Sequence, residues 1–219
     1  MSHRKLRRAI ETAARDGVED LGLSAEGLTT LPPEIGELTN LTELSLADNQ
    51  LTALSPEIFN LTSLTRLGLA SNQLTSLPPE IGRLTDLTTL FVHDHRLTDL
   101  PPEMAGLTNL VELDLSDNQF TTLPPEIGQL TGLTTLDVSW NELNSLPPEI
   151  GRLTSLTELD LSENQFTALP PEIGRLTDLT TLDLRGNPLP IPPEILETRD
   201  DPPRVINYYL EHLEAGQGR

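Results

Sequence analysis

A repeat with a period of 23 residues runs through almost the whole chain. Each unit approximates L-x-x-L-x-L-x-x-N-x-L-x-x-L-P-P-E-I-G-x-L-T-x, and the eight units begin at Val18, Leu41, Leu64, Leu87, Leu110, Leu133, Leu156 and Leu179. A single unit of this length has no second layer against which to bury its leucines. The repeat therefore predicts an elongated stack of units, each packed on its neighbours.

The first half of each unit predicts a short β-strand. In the L-x-L core, leucines alternate with variable residues, so the leucines point inward and the variable residues outward. The Asn that follows can satisfy backbone groups where the chain turns out of the strand. This position holds His95 in the fourth unit and Glu26 in the first. Parallel strands are expected to centre on Leu44–Leu46 and on the equivalent residues of the following six units.

The second half of each unit excludes a long helix, because its two prolines remove backbone donors and fix φ near −65°. We expect a narrow extended or 3-10 segment there, with its Ile and flanking leucines in the core. The predicted fold class is therefore α/β: a solenoid with a parallel sheet on its concave face and an extended or 3-10 convex side.

The two ends of the chain predict helical caps. Residues 2–15 read as a helix with Gly17 as its stop, and Leu6, Ile10, Ala13 and Ala14 lie on one face. At the other end, Ile206, Tyr209, Leu210 and Leu213 follow helical spacing. We divide the chain into an N-terminal capping helix (1–17), eight repeats (18–200), and a C-terminal capping helix with its tail (201–219).

Composition narrows the partners that this chain is expected to bind. The 219 residues carry a net charge of −20, which argues against contact with nucleic acid, because phosphates require a basic surface. No apolar run approaches the roughly 20 residues that span a bilayer, so no membrane contact is expected. The chain has no cysteine and its first residues lack the apolar stretch of a signal peptide, so we expect a cytoplasmic protein.

The L-P-P-E-I-G units resemble the leucine-rich repeats of bacterial and cyanobacterial Roco proteins. The segment from Gly186 through Asp201-Pro-Pro to Leu210 is similar to the one that leads from those repeats into a Roc GTPase domain. The resemblance implies a right-handed leucine-rich-repeat solenoid. It does not transfer GTPase activity, because this sequence contains no G-x-x-x-x-G-K-[ST] phosphate-binding loop.

The outward-facing positions of the predicted strands form rows across the sheet. The central row ends in four aspartates, Asp114, Asp137, Asp160 and Asp183. Four like charges about 4.8 Å apart repel one another. They are either the ordinary filler of this repeat or a groove for an Arg- or Lys-rich segment, with a loose Ca²⁺ site as a further possibility. Paired-carboxylate glycoside chemistry fails, because an open sheet has no pocket to raise one pKa.

The fourth unit departs most from the consensus, since it places Phe91 and His93 on the outward face. Arg66 and Glu112 occupy the neighbouring row on either side, and Trp140, the only tryptophan, follows the strand two units later. Aromatic anchors of this kind often contribute most of the binding energy of an interface. We therefore expect these five residues, together with the four aspartates, to contact a partner.

The sequence gives little support for a metal site or for catalysis. In His93-Asp94-His95, the second imidazole should turn inward, and an H-x-H without a clear third ligand is weak. No serine stands at a strained nucleophile elbow, so no catalytic residue, metal or cofactor is expected. The sequence predicts a non-catalytic module that binds a protein or peptide on its concave face, alone or as the sensing arm of a signalling protein. A designed or consensus-like scaffold without a natural ligand is the alternative.

Overall fold

The structure is a computed structural model that describes residues 3–217. Eight three-residue strands form one parallel sheet in the order β1 to β8. Their bounds are β1 Asp20–Gly22, β2 Glu43–Ser45, β3 Arg66–Gly68, β4 Thr89–Phe91, β5 Glu112–Asp114, β6 Thr135–Asp137, β7 Glu158–Asp160 and β8 Thr181–Asp183. The predicted parallel solenoid is confirmed. Each strand lies one residue earlier than expected, although Leu46 N–H still donates to the Gly68 carbonyl at 2.7 Å.

The convex side consists of 3-10 turns, as predicted. Their bounds are Pro33–Glu37, Pro56–Asn60, Pro79–Arg83, Pro102–Gly106, Pro125–Gln129, Pro148–Arg152 and Pro171–Arg175. The glycine of P-E-I-G lets successive turns approach closely: a Cβ at Gly128 would lie 2.5 Å from the Glu149 carbonyl oxygen. Phe59 and Ala105 occupy this position in the second and fourth units, and the turns that follow them pack less closely.

A ladder of buried asparagines joins the coils beneath the sheet. Asn72 is typical: its Oδ1 accepts the Leu51 N–H at 2.9 Å, and its Nδ2 donates to the Leu46 carbonyl at 3.0 Å and the Leu69 carbonyl at 2.7 Å. The predicted ladder is therefore present, and it satisfies backbone groups that the core would otherwise leave unpaired. Inside it, the leucines and isoleucines of all units form one continuous apolar core.

Helix α1 (His3–Asp16) covers the N-terminal end of this core. It ends at Gly17, which takes a φ of +63° that suits glycine. Leu6 and Ile10 are buried, and an Arg7–Glu34 ion pair ties the helix to the first 3-10 turn. Ala14, expected on the same face, is instead exposed, because it lies about 100° around the helix from its buried neighbour.

The C-terminal end is covered by α2 (Pro193–Leu196), which was not predicted, and α3 (Pro202–Gln217). The buried Tyr209 hydroxyl accepts the Leu169 N–H at 2.8 Å and donates to the Leu169 carbonyl at 3.0 Å. Ile206 is buried as well, so α3 closes the core as expected. Among residues 3–217, no helix has the length and apolarity to cross a membrane.

Candidate functional site

The strand register places the predicted outward rows on the sheet. Gly22 pairs with Ser45, Gly68 with Phe91, and so on to Asp160 with Asp183, so the central row runs unbroken from β1 to β8. Arg66 and Glu112 lie in the preceding row, on β3 and β5. His93 lies two residues after Phe91, just beyond the end of β4.

The N-terminal half of the sheet contains a depression of about 360 Å³ in front of Phe91. The Phe91 ring is half-buried, less exposed than expected, and the Arg66 guanidinium lies 5.0 Å from its centroid. This distance is that of a cation–π contact. The ring of His93 meets Phe91 edge-on at 6.4 Å between centroids, so three neighbouring side chains form one wall of the depression.

The floor of the depression is low because its residues are small. Gly68 lines this space, and a Cβ added there would make only ordinary contacts with Ser45 and Leu44. Ala47 and Ala70 line the same space, together with the acidic residues Asp20, Glu43 and Asp48. The site therefore combines an aromatic wall, one guanidinium and three carboxylates with a small-residue floor.

His93 also links the two halves of the sheet. Its Nδ1 lies 2.9 Å from the Asp114 Oδ2, which makes an ion pair when the imidazole is protonated, although the geometry is outside that of a hydrogen bond. Asp114 begins the acidic half of the central row. Glu112, on the same strand, is half-buried between Thr89 and Thr135 in the register.

The aspartates of the acidic half have local hydrogen-bond donors. Asp114 Oδ1 accepts the backbone N–H and the hydroxyl of Ser116, at 3.0 and 2.6 Å. Asp137 and Asp160 make the same two bonds to the serines two residues later. The serine of each Asp-x-Ser segment stabilises the carboxylate even when no partner protein is bound. This local pairing explains why the L-D-L-S motif recurs. In the sequence, the signal for this pairing is the serine that recurs two residues after each aspartate.

Repulsion remains in the middle of this row. Burial raises the pKa of Asp137, the hydrogen bonds from Ser139 lower it, and the charges of Asp160 and Asp114 raise it further. The net direction is upward, so the ionised form of this carboxyl is disfavoured at its position. A cation placed over the row would relieve that cost.

Asp183 differs from its three predecessors, because it is buried and already paired. Arg185 donates to both of its carboxylate oxygens through Nε and Nη2, and Arg199 lies 4.0 Å away. Burial would raise the pKa of Asp183, but the hydrogen bonds and charge of Arg185 lower it overall. An internal arginine therefore already pairs with this carboxylate, and contact between Asp183 and a basic partner stays a prediction.

Trp140 lies just beyond the end of β6. It follows Ser139 at the point where the chain leaves the strand, and 63% of its surface is exposed. Its backbone has a φ of +53°. The sequence places Trp140 just after the strand, in agreement with the structure, whereas it did not predict the left-handed backbone conformation.

His95 is buried in the asparagine ladder, as predicted, and it diverges from His93. Its Nδ1 accepts the Leu74 N–H at 3.2 Å, whereas its Nε2 has no hydrogen-bond partner. Burial lowers the pKa of His95 to about 4, so the ring is neutral at physiological pH. Within residues 3–217, no three His, Asp or Glu side chains are grouped in a way that could hold a metal ion.

Comparison with protein families gives matches along most of the chain. A leucine-rich repeat region model matches residues 112–187, a leucine rich repeat model matches residues 16–74 and 39–94, and a further leucine rich repeat model matches residues 178–198. No curated protein sequence matches.

Several solved structures resemble this one. A leucine-rich-repeat protein of Leptospira interrogans is 38% identical with a TM-score of 0.71, and the match covers 82% of this chain and 52% of that one. The ectodomain of the Arabidopsis thaliana receptor kinase GASSHO1/SCHENGEN3, in complex with CASPARIAN STRIP INTEGRITY FACTOR 2, is 31% identical (TM-score 0.66; 73% and 20% covered). The plant peptide hormone receptor RGFR1, in complex with RGF2, is 36% identical (TM-score 0.67; 73% and 27% covered). The chain thus spans about half or less of these proteins.

Proposed function

The chain is a leucine-rich-repeat protein, and on that premise we propose that it is a non-catalytic module that binds a protein or peptide across its concave sheet. The observation that carries this proposal is the depression at Phe91. An aromatic ring, a guanidinium and an imidazole meet there, beside the small residues Gly68 and Ala70 of the preceding unit. Such a combination of shape and chemistry is typical of an anchor pocket for one partner side chain.

The acidic half contributes a second contact in this proposal. Asp114, Asp137 and Asp160 lie in register beyond the pocket, and each keeps carboxylate oxygen not engaged by its serine. A partner with an apolar side chain at Phe91 and basic residues over these aspartates matches both halves. Receptors of similar fold bind peptide ligands, which supports a peptide or protein partner here.

The wider context is also a proposal. The similarity of residues 186–210 to the segment before a Roc GTPase domain supports a role as the sensing arm of a larger signalling protein in the cytoplasm. The chain itself should not bind GTP, because its sequence has no phosphate-binding loop. Tight binding of a fluorescent GTP analogue to this chain would contradict that expectation.

A phage-displayed random peptide library selected on the immobilised full chain tests the concave-face proposal. Enriched peptides should lose roughly 1–3 kcal/mol of binding free energy in Phe91→Ala, mainly through faster dissociation. Asp137→Asn/Asp160→Asn should instead slow association and reduce the salt dependence. Val111→Ala, at an exposed residue on the edge of the sheet, is the matched control.

Two outcomes would contradict this proposal. Peptides that bind wild type, Phe91→Ala and the aspartate variant equally well would place the ligand elsewhere. A library that yields no enriched peptide would favour the alternative, a scaffold without a ligand.

A further inference from the structure

His95 is the one ladder residue of units two to eight that is not an asparagine. Asn118, on the next coil, shows what the histidine replaces: its Oδ1 accepts the Leu97 N–H at 3.0 Å, and its Nδ2 donates to three backbone carbonyls. His95 keeps only the first of these bonds, because its Nδ1 accepts the Leu74 N–H at 3.2 Å. We call this contact the histidine rung. It joins the third and fourth units with fewer hydrogen bonds than the asparagine rungs provide.

The histidine rung can form only while the imidazole is neutral. Because Nδ1 accepts the Leu74 N–H, the neutral ring carries its hydrogen on Nε2, which is buried without a hydrogen-bond partner. A further proton must therefore go to Nδ1. It would remove the acceptor of the Leu74 N–H and leave two N–H donors facing each other across 3.2 Å. The ring cannot turn toward water instead, since only 7% of the surface of His95 is exposed.

The surroundings of His95 also disfavour the charged ring. Burial has the largest effect and lowers the pKa of His95 to about 4, although the Leu69 backbone and the charge of Asp94 raise it, and His93 lowers it further. On the following coil, the Asp117 carbonyl accepts the His95 N–H at 3.1 Å. The ladder positions on either side hold asparagines, which do not titrate. The coil must therefore open before His95 regains its ordinary affinity for a proton.

The histidine rung joins the two units that form most of the pocket at Phe91. Gly68 and Ser71 of the third unit line the pocket, and Phe91 and His93 of the fourth unit form its wall. The Ser71 N–H donates to the His93 carbonyl at 3.0 Å, three residues before the rung at Leu74. Separation of the two coils at the rung would therefore move the wall of the pocket away from its floor.

We propose that protonation of His95 opens the junction between the third and fourth units and so disrupts the pocket at Phe91, which makes the pocket sensitive to acid. The consequence for a partner rests on the proposed function, whereas the opening itself requires no partner. The coupling also acts in reverse: a partner that fills the pocket should hold the junction closed.

Amide hydrogen exchange of the full-length chain, measured by NMR from pH 7 to pH 5, tests the opening. In the open state His95 regains the ordinary pKa of 6.5, so opening should increase by up to roughly tenfold for each pH unit below that value. The protection factors of the Leu74 and Ser71 amides should fall in proportion. The Leu143 amide, bonded to Asn164 Oδ1 at 3.0 Å in an asparagine rung three units away, should keep its protection.

His95→Asn is the matched variant and should remove the pH dependence at Leu74, because asparagine does not titrate. Protection of Leu74 that does not change with pH in the wild type would overturn the proposal. A parallel loss of protection at Leu143 would also overturn it, since the chain would then unfold as a whole.

The reverse coupling is measured with the peptide most enriched in the phage-display selection. At a concentration of about 100 times its Kd, this peptide should raise the protection of Leu74 by about 100-fold at pH 5.5. A peptide that binds without protecting Leu74 would overturn the link between rung and pocket and leave the concave-face proposal intact. Selective loss at Leu74 in a chain that enriches no peptide would support the acid-sensitive junction and contradict the proposed function.

Discussion

In β1 to β4 the central outward row consists of Gly22, Ser45, Gly68 and Phe91, whereas in β5 to β8 it consists of four aspartates. The backbone register is the same throughout, yet the polar groups behave differently. In the acidic half, each carboxylate has a donor two residues away on its own coil. In the first half, Arg66 reaches across to the next strand to contact Phe91. The repeat thus keeps the same backbone geometry in both halves. In one half the carboxylates accept hydrogen bonds from their own coil, whereas the other half has an open pocket.

The buried ladder is regular in both halves except at His95 of the fourth unit, and replacing this residue is expected to have a large effect on stability. Replacing His95 by Asn should restore the regular ladder and stabilise the protein by about 1–2 kcal/mol at pH 7, because it removes an unpaired buried Nε2. Asn118→His, which introduces the same defect in the acidic half, should destabilise by a similar amount. Urea denaturation of both variants measures this.

The gain from His95→Asn should grow as the pH falls. The folded pKa is about 4, below the unfolded value of 6.5, so between these values the unfolded state binds a proton that the folded state does not. Wild type should lose up to about 1.4 kcal/mol per pH unit relative to His95→Asn. A constant difference between the two proteins from pH 7 to pH 4.5 would contradict the depressed pKa.

The convex side allows a second comparison, between Gly128 and Ala105 at the same position of neighbouring 3-10 turns. Gly128→Ala should destabilise by about 1–3 kcal/mol, since its Cβ would lie 2.5 Å from the Glu149 carbonyl oxygen. Ala105 fills the same position one unit earlier, where the next turn packs less closely. Ala105→Gly should therefore cost only about 0.5–1 kcal/mol, through backbone entropy. Equal thermal shifts for the two variants would show that the glycine spacing is not what sets the distance between turns.

Opposite pKa shifts within the acidic row predict opposite effects. Asp183→Asn should destabilise by about 1 kcal/mol at pH 7, because the lowered pKa of Asp183 reflects a favourable pair with Arg185. That contribution is lost as the pH falls through the folded pKa. Asp137→Asn should stabilise slightly at pH 7, since the raised pKa of Asp137 marks a disfavoured charge, and this gain should disappear at acidic pH. Thermal melts from pH 7 to pH 3 compare the two variants, and shifts of the same sign at pH 7 would contradict one of the two predictions.

The smallest effect concerns an edge residue between the two halves. Thr88 and Thr134 donate their hydroxyls to the carbonyl 23 residues earlier, whereas Val111 stands at the same position and cannot. Val111→Thr should add this bond to the Thr88 carbonyl and stabilise by a few tenths of a kcal/mol, because the site is exposed. A lower melting temperature for Val111→Thr would show that valine packing matters more.

The sequence predicted the parts of this structure that recur in every 23-residue unit. Alternating leucines predicted the sheet, and the asparagines predicted the ladder, because both follow from one coil repeated in register. It did not predict the pairing of Asp183 with Arg185 or the short helix α2. Each depends on a single coil or on a chain end, where no repetition reinforces a weak local preference.

The asparagine ladder has a consequence for how such a molecule changes over generations. Every bond of Asn141 ends on its own coil or on the one before it, and the same holds for each of its counterparts. These hydrogen bonds therefore do not depend on the total number of coils. In-frame duplication or loss of one 23-residue segment would therefore keep the same hydrogen bonds between neighbouring coils. Only the two capping helices would have to stay at the ends. Recombination could thus change the number of aspartates in the acidic row without altering the pocket at Phe91.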